Sequence, residues 1–395
     1  MKLAYIFLGG SFSGSSVQSK IICQITQLRN NGFDAEGWFF SHSVTEKVII
    51  NDFISIYPLL PYKSDRKYFN NYYENQFYYS QINKFISKNA VDCIFLRHGA
   101  SGSEYFKLVK EHANKLFVYI PSNTIGENYA ERKYAPKSGW MGLAFRWWEY
   151  FRYFYIYEKK FIKKYLPIIK SVVVFTPEFG EMLNKIAKGK IKVIYNRDGA
   201  DCQSVLMRTH EYKSGKIKLL FMKGSSMQQP WSGLERLMRS IENQNPERFE
   251  LYITGNVVEK ELYQKPFVKL TGRLSHIELE QLVNEVDLGV SNLANYIIKF
   301  NETTNLKSRD YYARGLPFIQ ANSMPDIDGT SAEEYYLQLP NNDTDIDMQR
   351  VYEFAMRMRK DNLHTAKMRQ FAEEHLDWKV TVAELSASLK KALQN

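Results

Sequence analysis

Cysteine is scarce in this 395-residue chain: Cys23, Cys93 and Cys202 stand far apart, odd in number and without CxxC spacing. That excludes a disulfide framework and a zinc knuckle, and points to a reducing compartment. No stretch approaches the ~18 to 20 uninterrupted apolar residues of a membrane span. The apolar core of the opening MKLAYIFLGG is only six residues long, which suits a buried first strand rather than a secretory segment. The chain therefore reads as cytoplasmic. Seven histidines are scattered without HExxH or another ligand spacing, so no obligatory metal or other cofactor is expected. Positive charge and aromatic rings, by contrast, are abundant, with a formal charge of +10 and 15% aromatic residues. Between Arg132 and Lys170 ten basic residues meet only Glu149 and Glu158, so this one segment carries +8 of the total.

Apolar runs of strand length recur at 3–8, 91–96, 116–120, 172–175 and 192–195. Helical patterns separate them; in VQSKIICQITQLRNNG, for example, Ile21, Ile22, Ile25 and Leu28 share a face and Asn31-Gly32 supplies a stop. The alternation restarts after THEYKSGK (209–216), with runs at 217–222, 249–253, 267–270, 286–290 and 317–319. Two α/β domains with parallel sheets follow, and a last helix begins near Asp377-Trp378. Ligands of such sheets sit beyond the C-terminal strand ends, so the loops there are the places to look for chemistry.

The first such loop, LGGSFSGSS (8–16), holds Gly9, Gly10 and Gly14, which let backbone N–H groups approach an anion or sugar. Ser11 stands where GxGxxG needs glycine and Ser15 where a Walker A loop needs lysine, so NAD binding and P-loop ATPase activity both lose support. More informative is NETTNLKSRDYYARGLPFI (301–319), where Glu302 precedes a helix that contains Asp310 and ends at Gly315 and Pro317. Thr303, Thr304 and Asn305 are the N-cap candidates, and the positive end of that helix suits a diphosphate. Asp310 lies roughly 8 to 9 Å along the axis, about the offset from a diphosphate to ribose hydroxyls.

This arrangement resembles the E-x7-E motif of retaining, family-4-type glycosyltransferases of the GT-B fold. VIYNRDGAD (193–201), LLFMKGSSMQQPWSGLERL (219–237), YITGN (252–256), LTGRLSHIELEQLVNEVDLGVS (270–291) and the tryptophan before the last helix are similar to further segments of that family, in order. The resemblance implies two Rossmann-like parallel-sheet domains facing each other across a cleft. The acceptor-side domain would span 1–205 and the nucleotide-sugar-binding domain 206–375, with a helix at 376–395 crossing back. By position, Glu302 would contact the donor sugar, Thr304 and Asn305 the phosphates and Asp310 the ribose, with Thr303, Leu306 and Lys307 in the same donor-binding stretch. Gly224 and Ser225 fall in the family's phosphate loop. Its usual Arg and Lys are replaced here by Ser225 and Ser232, so Lys223 or Lys307 is expected to supply charge, while Ser232 and Glu235 read as a capping box. The family's N-domain histidine is also absent, because the run at 116–120 leads into Pro121, Ser122 and Asn123. His98 is its nearest catalytic substitute, with Arg97 on the acceptor side.

The implied activity is transfer of a hexose, with retention, from a nucleotide sugar to a glycan or lipid-linked glycan in surface polysaccharide synthesis. A sugar-nucleotide epimerase or hydrolase of the same fold, and a non-catalytic nucleotide-sugar-binding protein, are the rivals. Asp326/Asp328 and Asp343/Asp345/Asp347 mimic a metal-binding DxD, but the second set reads better as a helix N-terminus. The basic, aromatic stretch 140–170 fits either a peripheral membrane contact at the inner face of a membrane or a core helix with a solvated face. No nucleic-acid-binding motif accompanies its charge.

Overall fold

A computed structural model of the chain describes residues 1–9, 16–63, 70–134, 140–209, 215–223, 229–256 and 263–394. Contacts divide the chain into two units. One comprises Met1–Arg132, Pro136–Arg197 and Thr381–Asn395, and the other Lys133–Ala135 and Asp198–Val380.

The N-terminal unit is built on eight strands: β1 (Lys2–Leu8), β2 (Asp34–Ser41), β3 (Val48–Asn51), β4 (Ile54–Pro58), β5 (Cys93–Arg97), β6 (Leu116–Ile120), β7 (Ser171–Val174) and β8 (Val193–Tyr195). Their order is β3-β4-β2-β1-β5-β6-β7-β8, and among these pairings only β3 with β4 is antiparallel. The Ser16–Asn30 helix follows β1 and buries Ile21, Ile25 and Leu28 completely, as its periodicity requires. A longer helical run covers the basic stretch: an α-helix at Trp140–Glu149, a π-helical segment at Tyr150–Tyr157 and an α-helix at Glu158–Lys164. The last helix, Trp378–Gln394, adds Val382, Leu385 and Leu389 to the buried set. Each such side chain contributes about 1.5–3 kcal/mol on burial. Its polar ties are Glu384, which meets Arg197 at 2.6 Å, and Lys390, which donates to the Asn31 carbonyl at 2.6 Å.

The C-terminal unit holds β9 (Ile217–Met222), β10 (Phe249–Thr254), β11 (Val268–Gly272), β12 (Leu288–Val290), β13 (Phe318–Gln320) and β14 (Tyr336–Gln338), in the order β11-β10-β9-β12-β13-β14 and parallel throughout. The strand order reverses between β9 and β12, which marks the switch point where open parallel sheets bind ligands. The Leu306–Arg314 helix lies against the sheet there. A Cβ at Gly289 would come within 2.7 Å of the Tyr311 ring, so glycine lets this helix sit close to β12. The buried Tyr311 hydroxyl donates to the carbonyls of Val290 (3.0 Å) and Leu220 (3.3 Å), tying the helix to both switch-point strands.

Among the described residues no helix is long and apolar enough to cross a membrane.

Candidate functional site

Beyond the C-terminal ends of β9 and β12 the C-terminal unit encloses a cavity of about 310 Å³. Lys223, immediately after β9, and Lys307, in the first turn of the Leu306–Arg314 helix, both line it. So do Gly233 and Leu234, where the Leu234–Gln244 helix begins. The local sequence explains that second helix start. Pro230–Ser232 forms a 3₁₀ turn, and Gly233 caps the helix at φ 72, a left-handed conformation that favours glycine. A Cβ at Gly233 would lie 2.7 Å from Leu293, so the turn packs directly on the loop after β12. The capping box expected of Ser232 and Glu235 is therefore not formed, because the residue at the cap is Gly233, with no side chain to accept. A capping box does form at Ser275 and Glu278, one helix further on.

Lys307 is the most unusual group of the cavity. Its ammonium lies 4.5 Å from the centre of the Phe221 ring, and no carboxylate among the described residues pairs with it. Burial alone pushes its pKa down to about 8. The two arginines of the Leu234–Gln244 helix differ. Arg236 is spent on main-chain carbonyls, donating to Leu293 at 2.6 Å, Thr344 at 2.8 Å and Pro340 at 3.0 Å. Arg239 is held by Asp345 at 2.7 Å, which raises its pKa further.

The segment that leads into Lys307 is pinned at every step. Glu302 forms a parallel bridge with Ser323, the Thr303 amide donates to the Ser323 carbonyl at 3.0 Å, and the Ser323 amide donates to the Asn301 carbonyl at 2.9 Å. Thr304 is buried and its hydroxyl accepts from the Asp198 amide at 3.4 Å. Of the three N-cap candidates, Asn305 caps the helix, its side chain accepting from the Ser308 amide at 3.0 Å. An α-helix leaves its first N–H groups without acceptors of its own, so with Ser308 satisfied those of Leu306 and Lys307 remain at the helix end. Starting at Leu306 rather than Thr304 also shortens the offset to Asp310, to roughly 6 Å. The Asp310 carboxylate accepts from Arg314 at 2.7 Å, and Arg314 reaches Glu280 at 2.6 Å. Burial raises the pKa of Asp310, with Arg314 opposing it. Neither Glu302 nor Asp310 lines the cavity, so the pair flanks the helix end from outside it.

In the N-terminal unit the expected residues are bound into the fold. The Gly9 amide donates to the Phe40 carbonyl at 3.1 Å, an extension of the β1–β2 ladder that removes it as a donor to ligand. Arg97 ends β5 with its guanidinium over the rings of Tyr119 (5.5 Å) and Phe7 (5.9 Å), and its Nη1 is buried without a partner among the described residues. His98 is buried with both ring nitrogens engaged, Nδ1 with the Tyr105 hydroxyl at 2.9 Å and Nε2 with the Glu158 carboxylate at 3.1 Å. Its ring stacks on Phe161 at 4.8 Å. That is the environment of a core histidine, with neither nitrogen open to substrate. Gly10, Gly14, Gly224 and Ser225 lie outside the described residues.

The aspartates of the DxD-like sequences have local tasks. Asp326 pairs with the fully buried Arg309 at 2.7 Å, Asp328 accepts from the Met324 amide at 3.0 Å, and Asp347 caps the Met348–Lys360 helix through the Arg350 amide at 3.0 Å. Among the described residues no group of three His, Cys, Asp or Glu side chains is placed to hold a metal ion.

Sequence reasoning missed Gly233, Arg239, Tyr263 and Tyr296 as cavity residues. Gly233, just before an apolar-periodic helix, carried a readable signal. Tyr296 sits in the short 3₁₀ turn Asn295–Ile298 and Tyr263 in the connection between β10 and β11, neither with a sequence pattern of its own.

No family model and no curated protein matches the sequence. Solved structures do match. Sucrose-phosphate synthase from Thermosynechococcus elongatus aligns with a TM-score of 0.67 at 11% identity over 98% of each chain. WaaG, a glycosyltransferase involved in lipopolysaccharide biosynthesis, aligns at 0.61 and 12%, over 96% of this chain and 97% of its own. The pneumococcal O-GlcNAc transferase GtfA, solved with UDP and GlcNAc, aligns at 0.58 and 11%, over 100% of this chain and 99% of its own. At these identities the likeness establishes the fold: two Rossmann-like parallel-sheet units of the kind found in GT-B glycosyltransferases.

Proposed function

We propose that the chain is a glycosyltransferase that moves a hexose from a nucleotide-sugar donor to a glycan or lipid-linked glycan, with retention, in surface polysaccharide synthesis. The observation that carries this reading is one cavity at the switch point of the C-terminal sheet, where Lys223, Lys307 and two helix N-termini meet. An ammonium with no counter-ion among the described residues, beside the N–H groups of two helix ends, suits an anion, and a diphosphate is the anion that would span it. Two of the solved neighbours, WaaG and GtfA, are themselves glycosyltransferases, and GtfA was solved with UDP and GlcNAc.

In this reading Glu302 and Asp310 bracket the helix end, the first toward the sugar and the second toward the ribose, which requires Asp310 to share its carboxylate with Arg314. The bond from the anomeric carbon to the diphosphate oxygen breaks, and the acceptor hydroxyl forms the new bond on the same face. The hydroxyl proton passes to the departing diphosphate oxygen, so no separate base is required. Lys307 and the helix amides stabilise the charge that develops on that oxygen. No metal takes part in this scheme.

A thermal-shift screen with UDP, GDP, ADP and CMP, followed by donor hydrolysis, tests it. One nucleoside diphosphate should raise the melting temperature, by mass action on the folded form. Slow release of free sugar from the corresponding donor should follow. An isomerised donor would mark an epimerase instead, binding without turnover under any acceptor would mark a binding protein, and no shift with any nucleotide would end the reading.

A further inference from the structure

The helical run Trp140–Lys164 presents a face that the donor site does not use. Trp148, Phe151 and Ile156 are exposed to 46%, 55% and 46%, unusual for such large apolar groups in one stretch. One turn further on, Lys159, Lys160, Lys163 and Lys164 line a shallow surface hollow of about 340 Å³ together with Tyr155 and Ile156. Ile156 lines that hollow with the lysines, and Phe151 stacks on Tyr155, which lines it too, so the apolar end and the cationic end form one stripe.

Neighbouring side chains order the stripe. The Arg152 guanidinium lies 5.1 Å from the Trp148 ring, Phe151 stacks on Tyr155 with centroids 5.5 Å apart, and the Lys159 ammonium sits 3.9 Å from the Tyr155 centroid. Both carboxylates of the stretch are drawn off it. Glu158 is buried against His98, and Glu149 pairs with Arg132 at 3.5 Å. The residues left outside are therefore cationic or apolar, without an acidic side chain from the same run to offset them.

We propose that this stripe docks the protein on an anionic lipid bilayer. Trp148, Phe151 and Ile156 enter the interface, while the four lysines and Arg152 lie at the level of the headgroup phosphates. A soluble polyanion would be matched by the lysines alone and would leave the three apolar side chains in water. A bilayer surface is the partner that satisfies both halves. The inference does not depend on the identity of the donor or on sugar transfer.

Sedimentation of the full chain with vesicles tests it, using phosphatidylcholine alone and phosphatidylcholine mixed with phosphatidylglycerol. The chain should partition onto the mixed vesicles and not onto the neutral ones, and added salt should weaken the binding. Reversing all four lysines to glutamate should lower partitioning by at least about a hundredfold, each lysine near an anionic surface being worth roughly fivefold. The milder pair Lys163→Gln and Lys164→Gln should lower it by about tenfold or more. Serine at 148, 151 and 156 should also release the protein, by about tenfold or more, and Trp148→Phe should remove a blue shift in emission seen with mixed vesicles. All variants should keep the melting temperature and nucleotide response of the parent, since the altered groups lie outside the donor cavity. Equal binding to neutral vesicles, no binding to either kind, or serine variants that bind as well as the parent would each overturn the proposal. The last result would assign the lysines to a soluble polyanion.

Discussion

His98 in the N-terminal unit is buried and Lys307 in the C-terminal unit is half-buried at a cavity wall, and the fold treats these two polar groups in opposite ways. His98 has a partner for each nitrogen and an aromatic ring beneath it. Among the described residues Lys307 meets the face of Phe221 and no carboxylate, and burial lowers its pKa to about 8. A buried polar group that is fully paired has its desolvation cost offset and becomes costly when one partner is removed, whereas one without a partner bears that cost until a ligand supplies the missing charge. Both were candidates on sequence. The accounting of partners separates a group that holds the fold from one available for ligand.

That contrast is exposed to experiment most sharply at Glu158. Glu158→Ala removes the acceptor for His98 Nε2 and for the Ser101 amide, both buried. It should cost roughly 2–5 kcal/mol, read as a lower melting temperature, while Glu158→Gln keeps an acceptor and loses less. Nucleotide affinity measured where the variant is still folded should be unchanged.

Lys307→Met should do the reverse. Affinity for the nucleoside diphosphate should fall about tenfold to a hundredfold, the worth of one charge-assisted bond to phosphate, with melting temperature at pH 7 equal or higher. Its pH dependence has a defined sign. In the free protein the cost of burying the ammonium is fully present below about pH 8 and is relieved as pH rises from there toward the ordinary lysine value. A bound diphosphate favours the ammonium, so affinity should weaken as pH rises through about 8, and titration calorimetry near that pH should detect proton uptake on binding. If Lys307→Met melts as Glu158→Ala does, or binds nucleotide normally at all pH values, the distinction between the two residues fails.

The smallest of these effects belongs to Asn305. Asn305→Ala removes the cap on the Ser308 amide and should cost about 1 kcal/mol of stability, with a modest loss of nucleotide affinity as the first turn frays.

Much of the architecture was legible because buried parallel strands are near-continuous apolar runs. LAYIFL, LFVYI and IKLLFM announce β1, β6 and β9 by length and composition alone. The strands that escaped notice break that rule. β2, DAEGWFFS, opens with two acids and a glycine straight after a helix stop, β3 is a four-residue edge strand with β4 of five residues beside it, and β14 is three residues long. The cap at Asn305 and the stop at Gly315 were readable because each is a local backbone event with its own residue preference. The histidine was not, since what decides its role is Glu158, sixty positions away on a helix whose inward face no local pattern identifies. The same distance effect hid Arg314, which holds Asp310 only because four residues make one helical turn and Glu280 waits on another helix.

The clasp of Tyr311 over Gly289 has a consequence for how such a site can drift between substrates. One hydroxyl is shared by the carbonyls of two adjacent strands, so the helix that presents Lys307 is fastened to the innermost part of the sheet. Its tip keeps its aim for as long as the sheet persists. If the cavity takes a nucleotide-sugar donor as proposed, changes in preference for one donor over another should accumulate at other lining positions, such as Tyr263, Tyr296 and Arg239, while the anchor itself stays fixed.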